Sequence, residues 1–235
     1  MTSHGPRFVS LAVLAGCLAT AGCAGSLAPP RHYVISSVDS GTPVRQASAQ
    51  EGPAVAVTLS AIPDYLNQNG IVTRTRENEV TRAEDNLWAG SLPDEITRAI
   101  AENLSRQVPT DRIVLASNRR AIPVDYTVDI EIISFERDWN NAVQLVARWT
   151  LFRGDEKALL TMRRSQIEQP AAGPDYDSTV AAMSRALGEL TREIAVAIDQ
   201  SRGIRRADRW TAERSSSSTS GEASQKRRKV GQSAN

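Results

Sequence analysis

Cysteine and histidine are scarce in this chain of 235 residues, which holds two of each. Both cysteines, Cys17 and Cys23, lie near the N-terminus, so the body of the chain cannot be stabilised by a disulfide. A structural zinc site needs clustered cysteine and histidine ligands, and a Ser-His-acid triad needs a histidine held rigidly by a third group. His32 stands alone after the cysteines and meets neither requirement. We therefore predict no catalytic residues, no metal site and no cofactor.

Long apolar segments are also missing. The most apolar one, residues 8–21, is shorter than the roughly 20 residues that cross a bilayer. Arg7 precedes it, and a run of small residues leads into Cys23, a pattern typical of a bacterial lipoprotein signal. We predict a signal peptide over residues 1–22 and an acylated Cys23 whose diacylglyceryl and palmitate chains enter the membrane.

A second cleavage site lies within the same segment. Cys17 follows Leu-Ala-Gly, which is closer to the consensus for lipoprotein cleavage, but it leaves an apolar core of only eight residues, 8–15. Cys23 gives a longer core, and the small residues after it are typical of a tether that continues to residue 32. Cys23 is the preferred lipidation site, with Cys17 as the alternative.

The charges are distributed unevenly along the chain. From Gly203 onward eight basic residues accompany three acidic ones, whereas residues 24–202 hold 19 basic and 24 acidic residues. An acidic body does not match the basic surface of a nucleic-acid-binding protein, so we predict no nucleic-acid partner. The basic, serine-rich tail of residues 203–235 has too few apolar residues to fold, and we predict that it is disordered.

Hydrophobic periodicity predicts strands and two helices in the domain between tether and tail, residues 33–202. Strands are predicted at 33–35, 53–60, 71–75 and 113–115, with 79–82 as a hairpin partner and a turn at 62–66. Residues 125–135, 142–152 and 157–168 alternate regularly and are separated by short turns, as in an antiparallel meander. One helix begins after Ser91 and ends before Pro109, and a second is capped by Asp177 or Ser178. We predict a single α+β domain, with an antiparallel-rich sheet and both helices on one of its faces.

Four short motifs resemble those of the ABC-type transport auxiliary lipoproteins, the family that includes proteins of the paraquat-inducible protein C type. They are Ile-Pro-Asp-Tyr-Leu at 62–66, Gly-Ile-Val-Thr-Arg at 70–74, Asn-Leu-Trp-Ala-Gly-Ser-Leu at 86–92 and Ala-Glu-Asn-Leu at 101–104. The resemblance extends over about residues 33–200.

This resemblance implies a non-catalytic, periplasm-facing lipoprotein of a transport system that contains an ABC transporter and an MCE (mammalian cell entry) domain protein. Such systems are thought to move lipids between the inner and outer membranes. Ala24 is not the aspartate that retains lipoproteins in the inner membrane, so the chain is expected at the outer membrane as a docking adaptor. Its expected partners are the MCE-domain protein, outer-membrane lipid through the acyl anchor, and other copies of itself.

The candidate partner-binding residues are Tyr65, Leu66, Arg74 and Trp88. Trp88 has a second interpretation, shared with Trp149, as a core aromatic that buries a large area. Two other functions stay open: a shuttle that carries lipid in a mostly apolar cavity of its own, and an envelope-assembly lipoprotein that serves no ABC transporter.

Overall fold

Eight strands and two helices make up the part of the chain that the structure describes, a computed structural model covering residues 29–38, 52–108, 110–115, 123–154 and 158–203. Both cysteines and residues 204–235 of the predicted tail lie outside these ranges. In chain order the elements are β1 (Arg31–Tyr33), β2 (Val55–Ala61), β3 (Gly70–Arg76), β4 (Glu79–Trp88), α1 (Leu92–Gln107), β5 (Ile113–Leu115), β6 (Tyr126–Arg137), β7 (Ala142–Arg153), β8 (Ala158–Pro170) and α2 (176–203).

The strands form one curled, mixed sheet with β6 at its centre. On one side of β6, β7 and then β8 follow as antiparallel neighbours. On the other side, β2 and β3 both pair with β6 in parallel. β5 continues the sheet beyond β2, and β4 and β1 continue it beyond β3. The predicted α+β domain with two packed helices is confirmed, and the sheet is mixed because α1 returns the chain to place β5 and β6 parallel to β2.

β2 and β3 follow one another along the same edge of β6. Ala61 of β2 pairs with Glu131, and Thr73 of β3 pairs with Arg137. Because both strands run parallel to β6, the chain leaves this edge after β2, forms a loop over residues 62–69 and rejoins the edge further along. The turn predicted at 62–66 is therefore an excursion between two strands that run in the same direction.

The meander of β6, β7 and β8 agrees with its prediction. Asn141 and Gly154 occupy its two turns with φ of 61° and 54°, left-handed conformations that asparagine and glycine adopt at least cost. A register shift between Ile132 and Ser134 marks a β-bulge in β6. Such a bulge reverses which side chains face the core.

β4 is longer than the predicted hairpin partner at 79–82. Only Ala83 and Trp88 among its ten residues are buried, so the alternation that indicates a strand is missing after residue 82. The strand persists because its backbone pairs with β3 on one side and with β1 near its end on the other.

The two helices differ in how well their first residues were predicted. Ser91 caps α1 as expected, its hydroxyl accepting the Asp94 N–H at 3.4 Å. The caps predicted for α2, Asp177 and Ser178, are wrong. Asp175 accepts the Ser178 N–H at 2.8 Å and precedes the first helical residue, Tyr176. This hydrogen bond lowers the pKa of the Asp175 carboxyl.

The strand predicted at 33–35 is displaced. β1 ends at Tyr33, and the following backbone passes between the helices instead of along a strand. Its N–H groups at Ile35, Ser36 and Val38 donate to side chains of α1 and α2 at 3.3, 3.1 and 2.8 Å, and the acceptors are Glu95, Ser184 and Asn103. The chain that leads from the N-terminus is thus held by both helices.

The core lies between the helices and one face of the sheet. The five residues of β7 predicted to share a face are fully buried there: Val143, Leu145, Ala147, Trp149 and Leu151. Trp149 donates its indole N–H to Ser165 at 2.9 Å, and Ser165 in turn bonds Glu193 of α2. The core interpretation of Trp88 and Trp149 is confirmed, since both belong to this cluster.

Candidate partner-docking site

The four predicted partner-binding residues differ in solvent exposure: two are partly exposed and two are buried. Tyr65 is half-buried on the 62–69 loop, and the Arg74 side chain on β3 is 28% exposed. Leu66 and Trp88 are 1% and 5% exposed and belong to the hydrophobic core. Tyr65 and Arg74 therefore reach the surface, whereas Leu66 and Trp88 support the loop from below.

A buried carboxylate brings Tyr65 and Arg74 together. Glu136 of β6 is 2% exposed, and one of its oxygens accepts the Tyr65 hydroxyl at 3.0 Å. Its other oxygen accepts Nε and Nη2 of Arg74 at 2.9 and 2.6 Å. The Phe135 N–H adds a further bond of 2.8 Å. A buried carboxylate needs such a complete set of donors, and here they come from the loop, β3 and β6.

Sequence reasoning missed Glu136, although a signal for it exists. Regular alternation from Tyr126 through Ile132 assigns Glu136 to the core face, where a carboxylate is unfavourable. The bulge after Ile132 changes the phase, so that Phe135 packs in the core and Glu136 faces away from the helices, opposite Gln144. The shift of apolar residues from even to odd positions at Phe135 could have revealed this change.

The protonation states of the cluster follow from its surroundings. Burial, reinforced by the charge of Glu136, raises the pKa of the Tyr65 phenol to about 12. The hydrogen bond to Glu136 raises the pKa of Arg74. Tyr65 is thus held as a neutral donor and Arg74 as a cation. A phenol held this way is a poor proton acceptor or nucleophile near neutral pH, and the cluster is suited to fixing the loop in position.

Backbone contacts fix the two halves of the 62–69 loop. The Leu66 and Asn67 N–H groups donate to the Pro63 carbonyl at 3.0 and 3.3 Å, closing a tight turn. At the far end, the Trp88 N–H donates to the Asn69 carbonyl at 2.7 Å. Four polar side chains remain exposed on the loop: Asp64, Asn67, Gln68 and Asn69. The backbone hydrogen bonds therefore hold the loop in one conformation, and its exposed polar side chains form a contact surface.

Gly70 lets β3 and β4 approach closely where the loop ends. A Cβ atom at this position would lie 2.2 Å from the Ala83 carbonyl oxygen and 2.7 Å from Cγ of Arg82. The first contact is with backbone, which cannot rotate away. The glycine in the 70–74 motif is therefore required by packing.

A separate groove of about 440 Å³ lies beside α1, between its first turns and strands β2 and β5. Five of its eight lining residues are polar or charged: Thr58, Asp94, Glu95, Thr97 and Arg98, with Val57, Leu59 and Leu115 as the apolar remainder. This lining differs from the mostly apolar cavity expected of a lipid carrier.

The described ranges contain neither a metal-binding cluster of side chains nor a membrane-spanning helix. No group of three or more histidine, cysteine, aspartate or glutamate side chains there is arranged to hold a metal ion. No described helix combines the length and apolar character needed to span a membrane.

Comparison with known proteins gives a consistent family match. The profile of the ABC-type transport auxiliary lipoprotein component matches residues 33–195. The intermembrane transport lipoprotein PqiC of Escherichia coli K12 is 27% identical over 176 residues, which are 74% of this chain and 89% of that protein. The protein of the same name from Shigella flexneri matches with the same values.

Solved structures share the fold. An uncharacterised protein of 23% identity superimposes with a TM-score of 0.59, over 73% of this chain and 99% of its own length. A Xanthomonas campestris protein of 18% identity superimposes with a TM-score of 0.58, over 75% and 99%.

Proposed function

Because this chain belongs to the ABC-type transport auxiliary lipoprotein component family, we propose that it docks an MCE-domain protein of an ABC-type transporter at the outer membrane. In that position it would help lipids pass between the inner and outer membranes. Its role as a transport auxiliary lipoprotein follows from the family and from its similarity to an intermembrane transport lipoprotein. The docking step, the MCE partner and the membrane are the proposal.

One observation carries the docking role: a buried carboxylate fixes an exposed loop. Interfaces gain affinity when a contact surface is ordered before binding, because less conformational entropy is lost in the complex. Glu136 orders the loop through Tyr65 and secures β3 through Arg74. Arg74 also donates to the Glu77 carbonyl at 2.8 Å, which extends the fixed surface to the β3–β4 turn. We assign the exposed side chains of the 62–69 loop to the contact with the MCE-domain protein.

The anchor belongs to the same proposal. Acylated Cys23 would hold the domain at the outer membrane, and Ala24 lacks the charge that retains lipoproteins in the inner membrane. The fixed loop would then present its polar side chains to an MCE assembly that arrives from the inner membrane. Neither step requires the protein to catalyse a reaction. In this proposal its function is to hold the contact loop at a fixed position next to the membrane.

Affinity purification of the tagged, acylated full chain from detergent, with mass spectrometry of bound proteins, tests this proposal. The variant Asn67→Arg/Gln68→Arg alters exposed loop side chains, and Val196→Arg alters an exposed position on α2 as a control. We expect MCE protein with the parent and the control, and its loss with the loop variant, at unchanged thermal stability. Unchanged recovery of the MCE protein with the loop variant would show that the contact lies on another surface of the domain. Recovery of the lipoprotein alone in every case would contradict the docking role and favour a shuttle or an assembly lipoprotein.

A further inference from the structure

A tryptophan stands exposed at the tip of the β6–β7 hairpin. Trp139 is 53% exposed, whereas Trp88 and Trp149 are buried in the core. The core interpretation that explains those two does not explain Trp139. Covering this aromatic surface with an apolar or amphipathic partner would remove apolar area from water, which is favourable.

The hairpin presents Trp139 rigidly. The Asp138 carboxylate accepts the N–H groups of Asn140 and Ala142 at 2.9 and 3.1 Å. Asn141 is tied to Ala171 in both directions, by side-chain and backbone bonds of 3.1 and 2.9 Å. The turn is thus cross-linked to the end of β8, and Trp139 loses little conformational freedom when its indole is covered.

A ladder of two cation–π contacts and one tilted ring pair links this hairpin to the place where the tether enters the domain. The Arg31 guanidinium lies 5.7 Å from the centre of the Tyr33 ring, and that ring lies 6.4 Å from the ring of Tyr176. Arg137 completes the ladder, 5.8 Å from the Tyr176 ring. Arg137 is the last residue of β6, two positions before Trp139. The entry of the chain and the tryptophan hairpin therefore lie at the same end of the domain.

The tether limits how far this end can lie from the membrane. Eight residue steps separate Cys23 from Arg31, the first strand residue. Fully extended, they reach about 28 Å. An acyl anchor at Cys23 therefore keeps the Arg31 end, and with it the hairpin, within reach of the bilayer surface.

We propose that Trp139 inserts its indole into the headgroup layer of the membrane that carries the acyl anchor. Tryptophan favours this layer because its ring is apolar while its N–H can bond to water or headgroup oxygens. Exposed Arg31 and half-buried Arg137 lie at the same end, but so do the exposed carboxylates of Asp175 and Asp177 at the start of α2. These charges offset one another, so the contact does not depend on anionic lipid or on low salt. The proposal rests on the lipid anchor and is independent of the MCE partner.

Quenching of tryptophan fluorescence by brominated lipid tests the insertion. The acylated full chain carrying Trp210→Phe, in vesicles of zwitterionic phospholipid with brominated acyl chains, retains Trp139 and the two buried core tryptophans. We expect brominated lipid to quench the emission of Trp139. This quenched component should be missing when Trp139→Phe is added, and the extent of quenching should not change with salt concentration. Thermal stability should be unaffected, because the Trp139 side chain is exposed.

Three results would overturn the proposal. Equal quenching with and without Trp139→Phe would show that this indole does not reach the lipid. Protection of Trp139 from aqueous acrylamide without quenching by brominated lipid would assign it to a protein contact. Failure of the chain to float with the vesicles would remove the anchor on which the inference rests, whereas loss of MCE binding alone would leave it intact.

Discussion

The two halves of β6 carry the same chemical pairing with different surroundings. In the regular half, Glu131 pairs with Arg148 at 2.5 Å, and the two side chains are 39% and 47% exposed. After the bulge, Glu136 pairs with Arg74 at 2.6 Å, but the carboxylate is 2% exposed. The first pair lies in water, where an ion pair contributes little. The second is buried and also holds a loop, so removing one partner leaves a charge or donor unsatisfied. The two ion pairs therefore differ in burial, and only the buried pair is expected to contribute substantially to stability.

Removing the two carboxylates separately should give the largest contrast. We expect Glu136→Ala to lower the free energy of unfolding by about 3 kcal/mol, because Tyr65 and Arg74 lose their acceptor. Glu131→Ala should cost less than about 1 kcal/mol. Urea unfolding of both variants measures the difference. Equal costs would contradict the distinction between the two halves.

The end of the loop can be tested through Gly70. A methyl group there would meet the Ala83 carbonyl oxygen at 2.2 Å, so Gly70→Ala should cost about 2 kcal/mol as the β3–β4 pairing shifts. Gly90→Ala is a matched control, since its Cβ would contact only the flexible Glu95 side chain, at 3.4 Å. Thermal unfolding separates the two, and similar midpoints would show that β3 and β4 do not need the close approach.

A smaller effect, but one with a distinct pH signature, is expected for Tyr65→Phe. Loss of one hydrogen bond to Glu136 should cost about 1 kcal/mol at neutral pH. The pKa of Tyr65 rises from its ordinary value near 10 to about 12 on folding. Between these values the unfolded chain releases the proton and the folded chain keeps it, so stability falls as pH rises.

Urea titrations from pH 9 to pH 12 should therefore show a steeper loss of stability in the parent than in Tyr65→Phe. Below pH 9, where both states keep the proton, the two stability curves should run parallel, separated by the constant cost of the lost hydrogen bond. Parallel curves across the whole range would show that Tyr65 is not held as a buried donor.

The same contrast explains how much the sequence could predict. The regular half of β6, the meander and the Ser91 cap follow from alternation and local capping, which depend on near neighbours. The path of residues 35–38 between the helices depends on distant acceptors such as Asn103 and Ser184. The part of β4 after residue 82 depends on backbone pairing with β3 on one side and with β1 on the other. None of these long-range effects leaves a periodic signal.

The sequence predicts only part of the candidate site, because the rest depends on contacts between distant residues. The motifs predict Tyr65 and Arg74 as contact residues, and the structure brings them together through Glu136. Leu66, from the same motif as Tyr65, and Trp88, from the 86–92 motif, lie in the core. Glu136, which joins the exposed pair, sits beyond a bulge that interrupts the pattern. Packing irregularities of this kind place side chains where simple alternation does not.

The most direct test of the docking proposal is photo-crosslinking of the acylated chain in cells. A photoreactive side chain at Gln68 would lie on the exposed loop, and one at Arg148 on the same face of the sheet but in the regular half. We expect a covalent product with the MCE-domain protein from position 68 and none from position 148. A product from position 148 alone, or from neither position, would contradict the assignment of the loop as the docking surface.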